Sequence, residues 1–303
     1  MGITDNYRVT DWLPTSAKEV MLKGWAAPDV ILFTGDAYID HPTFGAAVIG
    51  RILENSGFRV AIVPQPNWRD DLRDFKKLGR PRLFFGVTSG CMDSMVNHYT
   101  AQLRKRSDDA YSPGGKSGFR PDYCVTVYSR ILKEIYPDVP IVLGGIEASL
   151  RRLTHYDYWS DSLKPSILID SHADILVYGM GEIPVTEIAM QLKKGRPVSS
   201  LTDITQTAYV TDKYELTSAG SNLRTIEIAS HKECIGNKAR FATSFKITEE
   251  ESNKINAARI VQKTGNKYVV VNPPVTELNQ EDADLPYDLP YTRLPHPKYH
   301  NKA

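Results

Sequence analysis

The chain has 303 residues, which is enough for one large domain or two ordinary ones. Its 37 basic and 36 acidic residues give a net charge of +1, so no nucleic-acid or membrane-surface partner is expected. No segment reaches the roughly 18 apolar residues that span a bilayer. Cys91, Cys124 and Cys234 are far apart and lack metal-ligand spacing. The sequence therefore predicts a protein of the reducing cytoplasm.

Apolar runs and amphipathic segments alternate through the first two thirds of the chain, after an irregular lead-in over residues 1–28. A short apolar run bounded by glycine or proline is typical of a strand buried on both faces. Apolar residues spaced three and four apart indicate helices, and Gly57 and Gly195 are placed to end two of them. Strands are predicted at 29–34, 58–63, 82–87, 140–143 and 175–178, helices at 43–56, 93–104, 121–136 and 182–195, an edge strand at 207–210 and a long surface loop at 107–120.

Strands that alternate with helices imply parallel pairing through right-handed crossovers. The predicted fold is therefore α/β, with a doubly wound, parallel, five-stranded sheet in a Rossmann-like domain over residues 29–215. A smaller α+β extension is expected over 216–276, with a strand at 225–228 and a helix around 249–264. The proline-rich tail over 277–303 is predicted to be an extended linker.

Glycine-rich breaks follow the fourth and fifth predicted strands. In an open parallel sheet, ligands bind beyond the carboxyl ends of the strands, and glycine allows a sharp turn and the close approach of a ligand. Backbone N–H groups at such turns suit an anionic or amide-rich ligand. The sequence thus predicts a binding edge, and the alternative is that these glycines only form tight turns. The candidate cofactor-binding residues are Gly35, Asp36, Ser89, Gly90, Gly144, Gly145, Glu147, Gly179, Gly181 and Glu182.

Two polar clusters have more than one interpretation. Asp40 and His41 follow the first strand, where a carboxylate and an imidazole suit metal binding, acid–base chemistry or simple capping of the loop. The polar and aromatic run at 151–161 follows the fourth strand and suits either an overhang above the binding edge or packing against a partner domain. No catalytic residue and no metal ligand is assigned.

Several motifs resemble the N-terminal part of the YgiQ-type radical SAM family. In addition, residues 140–152 and 173–187 resemble the last two strand–loop units of the cobalamin-binding domains found ahead of radical SAM domains. The resemblance covers nearly the whole chain. The matching motifs are Phe33–Tyr38, Asp40–Pro42 with Gly45, Phe84–Thr88, Met92–Met95, His155–Asp161, Val271–Pro274 and Leu294–Pro297.

The resemblance implies a parent enzyme that cleaves S-adenosylmethionine reductively at a [4Fe–4S] cluster. The superfamily's C-x-x-x-C-x-x-C motif is absent from this sequence, and the family places it shortly after Ala303. The chain is therefore expected to stop before the catalytic barrel, to be inactive alone, and to have that downstream radical SAM domain as its partner. Its expected role is an accessory domain that binds a substrate or cofactor.

The resemblance leaves two alternatives, a cobalamin-binding module and a docking domain without a ligand. Domains that ligate cobalt through histidine use D-x-H-x-x-G after the first strand, whereas this chain has Asp40-His41-Pro42-Thr43-Phe44-Gly45. Both spacings differ by one residue, so a cobalt–histidine bond is not expected. Many radical SAM relatives hold cobalamin without that bond, which keeps the first alternative open.

Overall fold

The computed structural model describes residues 7–214, 223–275 and 278–299, and eleven strands and eleven α-helices lie in those ranges. The strands are β1 (Val30–Thr34), β2 (Val60–Pro64), β3 (Phe84–Thr88), β4 (Ile141–Leu143), β5 (His155–Asp157), β6 (Ser162–Lys164), β7 (Ile175–Val177), β8 (Thr207–Thr211), β9 (Thr225–Ile228), β10 (Arg259–Thr264) and β11 (Lys267–Val271). The helices are α1 (Ala17–Leu22), α2 (Gly45–Asn55), α3 (Arg73–Lys76), α4 (Ser94–His98), α5 (Cys124–Ile135), α6 (Gly145–Leu150), α7 (Ile167–Ser171), α8 (Glu182–Lys193), α9 (His231–Gly236), α10 (Lys238–Ser252) and α11 (Gln280–Asp288).

Five parallel strands form one half of the main sheet, in the order β2-β1-β3-β4-β7. Every residue of β1 and β2 is buried, because helices cover a parallel sheet on both faces. Helices α2 and α8 pack on the face that carries Leu32 and Val142. Helix α5 packs on the opposite face, against Phe33 and Phe85. The predicted α/β fold with a doubly wound parallel sheet is confirmed.

The sheet continues beyond the parallel half to nine strands within the described residues. β8 pairs antiparallel with β7, β11 with β8 and β10 with β11, and β9 lies parallel to β10. The predicted strand at 207–210 is present, but it lies inside the sheet because β11 covers its outer side. The strand at 225–228 is also present. The predicted boundary between 215 and 216 lies outside the described residues, so the division into domains stays a prediction.

The predicted helix around 249–264 is wrong beyond residue 252. Helix α10 ends at Ser252, and Arg259–Thr264 forms β10 instead. The local sequence does not show this, because β10 is stabilised by pairing with β9 and β11 on either side. The helix predicted at 93–104 is also too long. Tyr99 adopts an extended conformation and pairs with Lys105, which ends α4 at His98.

The tail also differs from the extended linker that its prolines predicted. Its described part contains α11 and then returns to the molecule, where Tyr291, Thr292 and His296 are buried. The prolines fix φ, but the aromatic and polar side chains between them find partners near Trp12 and Tyr38. In the parts of the chain that the structure describes, no helix has the length and apolar character needed to cross a membrane.

Candidate functional site

A cavity of about 320 Å³ lies at the carboxyl edge of the parallel half, between the sheet and helices α2 and α8. Small-molecule pockets usually measure about 300–1,000 Å³, so the size fits a ligand or part of one. Its walls are largely apolar. They include Leu32, Val48, Ile49, Phe84, Val142, Val177 and Val185. Because the strands β1, β3, β4 and β7 all end here, the cavity occupies the position that the sequence predicted for a binding edge.

The structure separates the predicted site residues into two groups. Those that line the cavity are Gly90, Gly144, Gly145, Gly179, Gly181 and Glu182. Those that lie behind its walls are Gly35, Asp36, Ser89 and Glu147. Lining a cavity does not establish contact with a cofactor, so the binding role of the first group stays a prediction.

Two neighbouring glycines in the turn after β4 have different structural roles. Gly145 has φ +82°, and a Cβ there would overlap Thr88 Oγ1, so this position needs glycine. Gly144 has the extended backbone that any residue adopts. A Cβ at Gly144 would meet only Val177 O, at 3.8 Å. At Gly144, therefore, the absence of a side chain leaves room in the cavity, whereas at Gly145 it permits the turn.

Asp36 lies behind the cavity in a buried ion pair. Its Oδ1 is 2.9 Å from Arg120 Nη1, and its Oδ2 accepts a hydrogen bond from the N–H of Cys91 at 2.6 Å. Burial raises the pKa of Asp36, and Arg120 opposes that rise. A Cβ at Gly90 would overlap this carboxylate. Asp36 therefore fixes the turn after β3 and does not face the cavity.

Glu147 and Ser89 form hydrogen bonds with the segments where the neighbouring helices begin. Glu147 is fully buried on α6 and accepts hydrogen bonds from the N–H groups of Ser94, at 2.9 Å, and Val125, at 3.0 Å. Burial raises the pKa of Glu147, against the effect of Arg151. Ser89 Oγ donates to Met92 O at 2.8 Å. These side chains join the β3 and β4 turns to the starts of α4 and α5.

Asp40 and His41 make hydrogen bonds within and around the loop after β1, in agreement with the loop-capping interpretation. Asp40 is fully buried and accepts hydrogen bonds from Arg51 Nε at 3.0 Å and Tyr38 Oη at 3.1 Å. His41 Nδ1 lies 2.8 Å from Thr43 Oγ1 and accepts from the N–H of Thr43 at 3.2 Å. His41 thus caps the turn that leads into α2.

The cysteines do not form a ligand set for an iron–sulfur cluster. Cys124 and Cys234 are buried in the core, and Cys91 is half-buried in the turn after β3. Across the described ranges, no group of three or more His, Cys, Asp or Glu side chains has the arrangement of a metal site. A [4Fe–4S] cluster needs several converging thiolates, so the residues present do not fit one.

Sequence reasoning missed the part of the wall formed by the start of α2 and by one strand residue. Thr43, Ala46 and Ile49 face the cavity from α2 and the loop before it, and Gly86 lies in its floor within β3. An isolated glycine inside a strand indicates a close approach of another group, so Gly86 was detectable. The α2 residues carry no such signal, because they look like an ordinary helix start.

The chain matches proteins that are about twice its length. A family model described as Radical SAM N-terminal matches residues 12–303. The chain is 59% identical to a UPF0313 protein of Bacteroides thetaiotaomicron, covering 98% of this chain and 49% of that protein. It is 59% identical to a UPF0313 protein of Porphyromonas gingivalis (98% and 46% covered) and 45% identical to one of Geobacter sulfurreducens (95% and 47%). It thus spans about half the length of the curated relatives.

Among solved structures, the chain is similar to the radical S-adenosylmethionine methyltransferase TsrM from Kitasatospora setae at 19% identity. The TM-score is 0.40 to the structure with cobalamin and a [4Fe–4S] cluster bound, over 60% of this chain and 27% of that one. It is 0.39 to the structure with tryptophan and a SAM analogue, over 59% and 28%. The family match over residues 12–303 confirms the resemblance noted in the sequence: the chain belongs to the Radical SAM N-terminal family.

Proposed function

We propose that this chain is the ligand-binding accessory domain of a radical SAM enzyme, and that the cavity beside α2 and α8 is its binding site. The observation that carries the proposal is the position of the cavity. It opens at the carboxyl ends of β1, β3, β4 and β7, which is where open parallel sheets bind their ligands.

The walls indicate the chemistry of the ligand. The cavity is lined mainly by aliphatic side chains, and its polar groups are few, among them Thr43, Thr88 and Glu182. The turns at Gly144 and Gly179 present backbone rather than side chains to the space. Such a site suits a ligand with an apolar body and a few hydrogen-bonding groups at its edge.

The partner that we propose is the downstream half of the full-length protein. The chain reaches Tyr299 beside the loop after β1, because Tyr299 Oη accepts a hydrogen bond from the N–H of Tyr38. The last described residue therefore lies at the same edge as the cavity. Ile146, Leu150 and Met180 are exposed there, and apolar side chains grouped on a surface favour a protein partner. The thiolates for a cluster and the cleavage of S-adenosylmethionine are assigned to that downstream half.

A second candidate function is corrinoid binding. It is favoured by the shape of the site, an apolar cleft that runs from the glycine turns at Gly144 and Gly179 down between the sheet and two helices. When bound, a corrinoid supplies alkyl-transfer chemistry. The apolar walls and exposed turn backbones would hold it, with no bond expected from His41, because the D-x-H-x-x-G spacing is absent.

The test fills the cavity at the position that accepts a side chain. Gly144→Leu places a side chain in open space without backbone strain, and Gly236→Leu is the matched control at the exposed end of α9. Two probes are used, 8-anilinonaphthalene-1-sulfonate for any apolar cavity and hydroxocobalamin, retained after desalting, for a corrinoid site. We expect Gly144→Leu to weaken probe binding about tenfold or more, a loss of about 1.4 kcal/mol, and Gly236→Leu to leave it unchanged.

The outcomes separate the candidates. Retention of hydroxocobalamin by the unmodified chain supports the corrinoid candidate, whereas binding of the dye alone supports a site for a different ligand. Binding that Gly144→Leu does not weaken, in a variant with unchanged circular dichroism, contradicts the assignment of this cavity. If neither probe binds, the docking domain without a ligand becomes the better description.

A further inference from the structure

The tail of the chain pairs with the loop that forms the front of the cavity. We call residues 289–299 the strap and residues 38–44 the front loop. The N–H of Asp40 donates to Leu294 O at 3.1 Å, and Asp40 O accepts from the N–H of Arg293 at 2.9 Å. Ile39 and Pro295 form an antiparallel bridge next to these bonds. The strap and the front loop thus make a short two-stranded ribbon.

Side chains fix the far end of this ribbon. The N–H of His296 donates to Tyr38 O at 3.0 Å, and the two rings stack with centroids 5.7 Å apart. The indole of Trp12 packs edge-on against His296 and donates to Leu294 O. His296 is almost completely buried. The strap therefore occupies a fitted groove rather than lying loosely on the surface.

The carboxylate of Asp40 joins the strap to helix α2. Its Oδ2 accepts from the N–H of Thr292 at 2.8 Å, and its Oδ1 accepts from Arg51 Nε at 3.0 Å. Arg51 lies on α2, and the first two turns of that helix line the cavity. A buried carboxylate that loses one of its partners is costly, so the strap and α2 hold each other in place through Asp40.

The front loop continues directly into the cavity wall. Pro42 and Thr43 follow Asp40 and line the cavity. Thr43 O also lies 3.6 Å from Cys91 Sγ, in the turn after β3. The wall is thus held by the Asp40 anchor on one side and by its contact with the β3 turn, beside Cys91, on the other.

We propose that the strap regulates access to the cavity: while it is paired with the front loop the wall narrows the opening at the strand ends, which we call the closed state, and its release lets the wall move away from Cys91 and widens that opening. The strap is the segment that leads toward the downstream half of the full-length protein, so the position of that half would set access to the ligand. This inference rests on the proposed function of the cavity. Because coupling between two sites is reciprocal, a ligand in the cavity should also strengthen the strap.

The test uses one strap position whose side chain is not needed. Arg293 is exposed and has φ +58°, a conformation that glycine adopts readily and proline cannot. Arg293→Pro also removes the N–H that donates to Asp40 O. Arg293→Gly keeps that N–H and is the matched control.

The readout is the rate at which an aromatic disulfide reagent labels Cys91. Cys124 and Cys234 are buried in the core, and Cys91→Ser identifies their background. Burial and the charge of Asp36 raise the pKa of Cys91 to about 12, so labelling is slow in the closed state. We expect Arg293→Pro to accelerate the labelling of Cys91 about fivefold or more, which is the low end of measured coupling between sites. Arg293→Gly should not accelerate it.

Hydrogen exchange of the strap amides decides how the labelling result is interpreted. Strap amides that exchange freely in Arg293→Pro, together with an unchanged labelling rate, overturn the proposal. If those amides stay protected, the substitution has not released the strap. The labelling rate is then measured on a shorter chain that ends at Asp288 and lacks the strap. The labelling needs no ligand, so faster labelling without binding of either cavity probe supports the strap while contradicting the ligand site.

Discussion

At the scale of single residues, the contact between Glu19 on α1 and His296 in the strap gives stability a distinct acid dependence. Glu19 Oε2 lies 3.3 Å from His296 Nε2 and accepts a hydrogen bond from the N–H of Thr15 at 2.6 Å. Burial alone would raise the pKa of Glu19, but the hydrogen bonds from His296 and Thr15 outweigh it and lower the pKa to about 2. The folded protein therefore stabilises the ionised form of the Glu19 carboxyl group more than the unfolded chain does.

Glu19→Gln should change the pH dependence of stability. A carboxyl group with a depressed pKa in the folded state stabilises the protein above its ordinary pKa of 4.5, and the contribution is lost as the pH falls toward about 2. We expect the difference in unfolding free energy between the two proteins to shrink as the pH falls from 4.5 toward about 2. Urea titrations over that interval measure it, and a difference that does not change with pH contradicts the assignment.

The residue scale also shows what the sequence can tell about the site. Glycines after β4 were detectable, because an apolar run that breaks into glycine indicates a strand end at a binding edge. The different roles of Gly144 and Gly145 were not, because they depend on the backbone angle of Gly145 and on its distance to Thr88. Likewise, the sequence places Asp36 and Glu147 at the edge, but it does not show where their side chains point. Asp36 points toward Arg120, and Glu147 points toward the N–H groups at the starts of two helices.

At the scale of structural elements, the predicted surface loop at 107–120 is largely irregular and mostly exposed or half-buried, as expected, but three of its residues anchor it to the sheet. Its polar composition predicted the loop, whereas Asp109, Ser112 and Arg120 are buried. The guanidinium of Arg120 lies 2.9 Å from Asp36 and 3.0 Å from Asp109, and it donates to Ser89 O at 2.8 Å. One buried cation thus ties this segment to the ends of β1 and β3.

Arg120→Met should destabilise the protein by about 3–5 kcal/mol, because it leaves two carboxylates buried without their cation. Arg104→Met is the matched control, since Arg104 is exposed, and we expect it to change stability by less than about 0.5 kcal/mol. Denaturant unfolding at neutral pH measures both. If the two variants lose equal stability, the ion cluster is not what holds this segment.

Elements were predictable where their signal is local. Strands buried on both faces appear as continuous apolar runs, and all five parallel strands were found in this way. β10 was missed because Gln262 and Lys263 interrupt its pattern, and its stability comes from two neighbouring strands rather than from its own residues. The strap was missed for the same reason: its partners, Trp12 and Asp40, are more than 250 residues away.

At the scale of the whole molecule, one core connects the parallel half to the extension. The same hydrophobic cluster contains Phe33 and Leu143 from the parallel strands and Ile260 and Val271 from the antiparallel ones. The predicted division near residue 215 therefore separates segments that share packing within the described parts of the chain. A division by sequence alone follows changes in composition, which do not report shared burial.

The chain should not assemble an iron–sulfur cluster alone. Cys124 and Cys234 are buried on different helices, and burial raises the pKa of Cys124 well above its ordinary value, which opposes the thiolate form. Anaerobic reconstitution with iron and sulfide is therefore expected to leave this chain without a stoichiometric [4Fe–4S] absorption. The full-length Bacteroides thetaiotaomicron protein, treated in parallel, is the comparison. Four irons per molecule of this chain would contradict the prediction.

The antiparallel pairing of β8 with β7 has a practical consequence for anyone who isolates the cavity. A shorter recombinant piece that stopped at residue 195 would keep every strand around the cavity but would bare the backbone groups of β7 that pair with β8. Uncovered edges of apolar strands recruit strands from other molecules. The piece that stops at residue 195 would therefore aggregate. A piece that extends through Val271 keeps the edge of β7 covered.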